Sequence, residues 1–343
     1  MTLENFSWEP PKDWLRIKTV EMHTGGEPLR VFTEGLPEIK GETILEKRRY
    51  FRDNYDHIRT GTMFEPRGHA DMYGAVLTEP VTDDGDYGVF FMHNEGYSTM
   101  CGHAMIALGK LLGETGLVPP GQNEIKIDAP PGRITLHITK KGEKVISVTF
   151  RNVPSFMLTE NANIHIPDIG TITFDIGYGG AFYVYTQAAP LGLKLDGSDY
   201  NRLIEYGKRI KHAVTENFDV KHPFEKDLSF LYGTIFIGEP YEKKHHSRNV
   251  CIFAEGEVDR SPTGSGVSGR AAIHHAKGEL KPGEKITVES ILGTTMDVRI
   301  VEETTFGPHP AVIPEVTGTA HITGRNEFWF DPDDPLKKGF IFR

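Results

Sequence analysis

The chain has 343 residues, 38% hydrophobic and 25% charged, an ordinary composition for a globular protein of about two domains. Its net charge of −10 argues against nucleic acid as a partner, because such partners select a basic surface. No stretch approaches the ~20 apolar residues of a membrane span, and two cysteines make no disulfide scaffold. The first fourteen residues are polar and proline-rich, without the basic start and apolar run of a secretory signal, so a cytoplasmic protein is expected. The 37 glycines and 22 prolines point to many turns and a strand-rich fold.

In chain order, Leu15–Met22 alternates apolar and polar residues, as a half-buried strand does. The turn His23-Thr24-Gly25-Gly26-Glu27-Pro28 follows, and Leu29–Phe32 resumes a strand. Residues 40–59 read as a solvent-exposed helix, and Asp71–Leu77 and Tyr87–His93 as strands. The segment after Cys101, about 102–115, is apolar on nearly every side, the pattern of a buried helix. Strands are predicted at Glu124–Ile127, Gly132–Ile138 and Val145–Arg151, so a curved, mostly antiparallel sheet would enclose that helix.

The second half repeats this plan. Thr171–Ile176 and Ala181–Tyr185 read as strands, 198–215 as an exposed helix, and Leu231–Ile237 and Asn249–Ala254 as strands. A glycine-opened helix is predicted at about 264–277, followed by strands at Lys285–Glu289, Thr295–Val301 and Val316–Thr323. The expected class is therefore α+β: two pseudo-symmetric halves, 1–160 and 161–343, each a curled sheet around one helix, with the C-terminal tail free to return to the first half.

Two stretches concentrate the chemistry. Cys101 stands at a helix entrance, where a thiol pKa can fall from about 8.5 into the range of roughly 3.5–7.5. Gly102 and His103 follow it with free first-turn N–H groups, a ready anion site. The second stretch is Asp259-Arg260-Ser261-Pro262-Thr263-Gly264-Ser265-Gly266, another bare helix start. A plain structural reading makes Cys101 a buried core residue and Ser261 or Thr263 an N-cap. Gly264-x-Gly266-x-x-Gly269 also matches a dinucleotide fingerprint, but the polar Glu255–Pro262 separates it from the preceding strand and the βαβ unit is missing. His93, Cys101 and His103 offer no fourth metal ligand; Cys251, in Val250-Cys251-Ile252-Phe253, reads as core, and His69 as a residue near a cleft.

Together, Met100-Cys101-Gly102-His103 and Asp259–Gly266 resemble the two signatures of the proline racemase family. The His23–Pro28 turn, the Gly61–Gly68 region, Tyr178–Phe182 and Thr317–Gly324 are similar to that family in the same order. The resemblance implies a diaminopimelate-epimerase-like fold, an imino acid substrate, no cofactor or metal, and a homodimer. It implies that Gly102, His103, Gly264 and Ser265 bind the substrate carboxylate and Asp259 the ring ammonium. Racemases of the family carry cysteine at both signatures, whereas here the second position is Thr263. A hydroxyl is too weak an acid–base partner to exchange a carbon-bound proton at neutral pH. The Cys101/Thr263 pair thus resembles the family's trans-3-hydroxy-L-proline dehydratases, which need one carbon base. A proline or hydroxyproline epimerase and a non-catalytic imino-acid-binding protein are the alternatives.

Overall fold

A computed structural model describes residues 7–342; residues 1–6 of the expected N-terminal tail, and Arg343, lie outside them. Strands β1 (Leu15–Thr24) and β2 (Glu27–Glu34) pair antiparallel through the Gly25-Gly26 turn, where φ is +62° and +97°. Both dihedrals lie in the region that glycine enters without steric cost, so this turn is written in the sequence. Helix α1 (Ile44–Met63) starts with a reciprocal cap between Thr43 and Glu46 and leads to β3 (Tyr73–Thr78), parallel to β2. Then β4 (Tyr87–His93), the short β5 (Gly96–Tyr97), α2 (Gly102–Glu114), and β6 (Glu124–Ala129), which runs parallel to β4, precede β7 (Gly132–Lys141) and β8 (Lys144–Arg151).

The same succession recurs after β9 (Phe156–Ile166). It comprises β10 (Gly170–Tyr178), β11 (Phe182–Gln187), α3 (Tyr200–Asn217), β12 (Leu231–Gly238), β13 (Ser247–Phe253), β14 (Glu257–Val258) and α4 (Gly264–Ala276). β15 (Lys285–Glu289), β16 (Thr295–Phe306) and β17 (His309–Gly318) complete it. The pairing also repeats, with β12 parallel to β11 and β15 parallel to β13. The last strand, β18 (Ala320–Phe330), returns to pair antiparallel with β1, from Leu15 against Phe330 to Thr24 against Ala320. β8 and β17 join the two halves edge to edge, Val148 opposite Gly318 and Arg151 opposite Glu315, so all eighteen strands form one sheet.

Helices α2 and α4 are the centres of the two curls. Every residue of α2 from Gly102 to Gly113 is buried, as is every residue of α4 from Gly264 to Ile273. Each buried Leu or Ile contributes on the order of 1.5–3 kcal/mol relative to exposure, so these apolar helices are stable only inside the sheet. Lys110 joins this interior by directing its ammonium to the Val145 carbonyl (2.9 Å) and the Glu114 carboxylate.

Four expectations need correction. Helices α1 and α3 are not simply solvent-exposed: Phe51, Ile58 and Met63 of α1, and Leu203, Ile210 and Val214 of α3, are buried against the sheet. Charged residues at the other positions masked these narrow apolar stripes. The single strand expected at Val316–Thr323 is two, because the chain leaves β8 after Gly318 and takes up β1 from Ala320. β9 was not expected at all. Its middle carries the exposed Glu160, Asn161 and Asn163, with only Ala162 and Ile164 half-buried against the core, and pairing with β10 holds it in place.

Candidate active site

The chain turns into α2 through Cys101 in extended backbone (φ −136°) and into α4 through Thr263 at φ +69°. These two entrances touch. A Cβ on Gly102 would lie 2.4 Å from Gly264 Cα, and one on Gly264 would lie 2.6 Å from Gly102 Cα. Only glycine permits that backbone contact. The N–H groups of Gly102, His103, Gly264 and Ser265 belong to first turns and have no intrahelical acceptor, so two positive helix ends converge on one point. A small cavity opens there, lined by Cys101, Gly102, His103, Asp259, Thr263, Gly264 and Ser265, the seven site residues expected from sequence. The same cavity is lined by Tyr73, Met100, Tyr183, Tyr232, Cys251 and Phe253, which were not expected. These aromatic residues reach the cavity from strands distant in sequence, and no local pattern marks them.

Cys101 is itself the cap of α2: its Sγ accepts from the Ala104 N–H at 3.4 Å. The sulfur also lies 3.2 Å from His103 Nδ1. Burial pushes the thiol well above its ordinary pKa, and the Asp259 charge adds to this; the Ala104 N–H and Tyr73 hydroxyl oppose it. The expected depression by the helix end is thus outweighed, since desolvation penalises the thiolate more than the helix end favours it. Burial likewise pushes His103 down to about 3, against the pull of the Pro28 carbonyl. Thiol and imidazole therefore rest as a neutral, hydrogen-bonded pair. The His103 carbonyl is fixed by the Thr24 hydroxyl (2.8 Å), which ties the first glycine turn to the site.

Across the junction, Thr263 does not cap α4. Its hydroxyl is buried with no partner in normal hydrogen-bonding geometry, while its N–H is taken by the Ser261 hydroxyl (3.1 Å). Thr263 lies beside Cys251 and Asp259 and favours the ionised form of both. Cys251 is a core residue, fully buried in β13, yet it also faces the cavity. Asp259 accepts from the Ser261 N–H at 2.7 Å, but burial still pushes its carboxyl up to about 6. Next to it, Glu27 from the first glycine turn accepts from the Arg260 N–H (2.7 Å) and is raised by burial and by the Asp259 charge.

Cross-connections hold the two halves around the cavity. Arg260 pairs with Asp71 at 2.6 Å, and buried His93 meets buried Glu257 at 3.0 Å. The Thr99 hydroxyl donates to the Gly180 carbonyl (2.7 Å) and the Asn152 amide to Gly179 (2.8 Å). His69 is exposed and does not line the cavity; its Nδ1 lies 2.7 Å from the Ala70 oxygen. Among the described residues, no three His, Cys, Asp or Glu side chains gather as metal ligands would.

Comparisons with known proteins bear on the family and the fold. A family model described as proline racemase matches residues 19–341. The chain is 49% identical to a trans-3-hydroxy-L-proline dehydratase of Colwellia psychrerythraea over 98% of its own length and 96% of that protein's. It is 46% identical to a 3-hydroxyproline 2-epimerase of Burkholderia multivorans, covering 95% of this chain and 98% of that one. Among solved structures, a hydroxyproline epimerase from Agrobacterium vitis with bound trans-4-hydroxy-L-proline superposes with a TM-score of 0.91, at 27% identity, over 97% of this chain and 96% of that one. The α+β, diaminopimelate-epimerase-like architecture is thus shared, and the chain belongs to the proline racemase family.

Proposed function

We propose that this protein is a cofactor-independent hydro-lyase that dehydrates trans-3-hydroxy-L-proline to a pyrroline-2-carboxylate. The observation that carries this reading is the asymmetry at the helix junction, where Cys101 faces the cavity from one entrance and Thr263 from the other. In trans-3-hydroxy-L-proline the hydroxyl lies on the same ring face as the α-hydrogen, so a single carbon base suffices.

Cys101 takes the α-proton as thiolate, after its own proton passes to His103 Nδ1, 3.2 Å away. The substrate carboxylate, bound by the N–H groups of Gly102, His103, Gly264 and Ser265, favours the imidazolium by its charge. As the carbanion forms, that carboxylate gains negative charge, and the converging helix ends stabilise it more than the ground state. Asp259 holds the ring ammonium, which the buried carboxyl needs as much as the ligand does. The 3-hydroxyl then leaves as water, and the enamine tautomerises to the cyclic imine. Thr263 positions the ring without exchanging protons with carbon.

A second reading, epimerisation at C2, is favoured by Cys251, a further thiol lining the cavity, and by the activity named for the Burkholderia relative. Proton NMR in D₂O with trans-3-hydroxy-L-proline, and separately with L-proline, decides between them. Loss of the hydroxyproline with growth of pyrroline-carboxylate, and no D-proline, supports the lyase. Deuterium at Cα with inversion and no elimination would overturn it. A binding protein would change neither compound.

The proposal extends to organisation. The halves 1–160 and 161–343 act as two units about the cavity, with β18 serving the first, in keeping with its pairing to β1. On family grounds the protein is a cytoplasmic homodimer. Light scattering tests the dimer, and a monomer at micromolar concentration would count against it.

A further inference from the structure

Expulsion of hydroxide from carbon needs a proton, and the stereochemistry limits where it comes from. The 3-hydroxyl shares the ring face of the α-hydrogen, so its donor stands on the Cys101 side of the cavity. Besides Cys101, the side chains near the sulfur with N–H or O–H groups are His103, Tyr73 and Tyr232. The His103 ring is already engaged by the Cys101 sulfur and the Pro28 carbonyl. Of the two phenols, Tyr73, in β3, is the one whose hydroxyl favours the Cys101 thiolate. Its ring lies edge-on to His103 with centroids 4.8 Å apart, and it is only 3% exposed.

We propose, resting on the dehydratase reading, that the Tyr73 phenol carries the proton to the departing 3-hydroxyl. The phenol is held by the Ser98 hydroxyl, with the Tyr232 hydroxyl 3.5 Å away, and Ser98 is itself fixed where its carbonyl accepts from Arg48 (2.9 Å). In the step, the Cys101 thiolate takes the proton from C2. The C2–H electron pair becomes the C2=C3 bond, and the C3–O pair leaves with oxygen. The phenol proton joins that oxygen to make water, and the new thiol proton passes from sulfur to the phenol oxygen. Thiolate and phenol are both restored, and the only net change is loss of water. Burial holds the phenol well above its ordinary pKa, so a free phenolate is disfavoured and the relay must replace the proton as it is given.

The test compares wild type with Tyr73→Phe on trans-3-hydroxy-L-proline in D₂O, following by NMR both elimination and deuterium at C2 of the remaining substrate. The expected result is elimination slowed roughly 100-fold, the usual scale of a lost general acid. C2 exchange would persist, so that the exchange-to-elimination ratio rises at least about 10-fold. Equal loss of both, or no loss, would overturn the role of Tyr73 while leaving the dehydratase intact. A wild type that exchanges C2 without eliminating would overturn both. Should Tyr73→Phe not fold, as judged by thermal melting, Ser98→Ala keeps the phenol but frees it. It should slow elimination several-fold with the same rise in the ratio, and an unchanged ratio would overturn the relay.

Discussion

The two central helices make the same backbone offer and differ in what they attach to it. At the entrance to α2 the Cys101 sulfur folds back to accept from Ala104 N–H and meets an imidazole. At the entrance to α4 the Thr263 hydroxyl makes no hydrogen bond in normal geometry and adjoins a carboxyl and a second thiol. On the proposed reading, anion binding, which depends on main-chain N–H groups, is shared by both halves, and proton chemistry, which depends on one side chain, is confined to one. In that reading the cradle occurs twice, and the difference between two side chains selects what it does to its substrate.

The largest effect should come from removing the active side of this comparison. Cys101→Ala is expected to lower kcat by about 10³-fold, within the range for a general base, while calorimetric binding of L-proline stays within a few-fold of wild type. A pure binding protein would lose nothing. Making the entrances alike should follow: Thr263→Cys places a second thiol where family racemases have one. L-proline in D₂O should then gain Cα deuterium with inversion, and elimination from the hydroxyproline should drop about 10-fold as returned protons compete. Absence of inversion would show that the backbone at φ +69° does not aim a side chain at Cα. A smaller change tests the contact between entrances. Gly102→Ala removes a glycine from a helix, normally worth up to about 1 kcal/mol of stabilisation, yet its Cβ would strike backbone 2.4 Å away. Net destabilisation of about 3 kcal/mol in urea unfolding is expected, with carboxylate affinity weakened.

The smallest expected effect concerns pH. Asp259 titrates at about 6 in the fold and at about 3.9 in an unfolded chain, so between those values the native state holds a proton that the unfolded state lacks. Stability from this residue is full at lower pH and falls as pH rises through that window, by at most about 3 kcal/mol. Glu27 acts in the same direction. Urea titrations of wild type against Asp259→Asn between pH 4 and 7 should show the variant with the flatter profile, and parallel profiles would contradict it.

The reach of the sequence follows from the range of the interactions. Helix α2 was legible because burial on all sides leaves an unbroken apolar run, and the turn at Gly25-Gly26 because positive φ selects glycine. Cys101, Thr263 and Asp259 were legible because each belongs to a local signature. Tyr73, Tyr183 and Tyr232 were not, since only the closing of the sheet gives their strands a common interior. The direction of the Cys101 shift was misjudged for the same reason: the helix end is a local feature, but desolvation is set by residues from both halves.

The return of β18 to β1 bears on how the protein is made. β1 is among the first strands to leave the ribosome, and its partner along ten positions is among the last. The first half cannot complete its sheet until β18 has been made, and one edge of β1 stays open over that whole interval. By contrast β9 precedes β10 directly, so the second half has its corresponding edge covered from the start. The first half thus carries the longest wait with an uncovered strand, and it is there that a chaperone or a premature stop would exert its greatest influence.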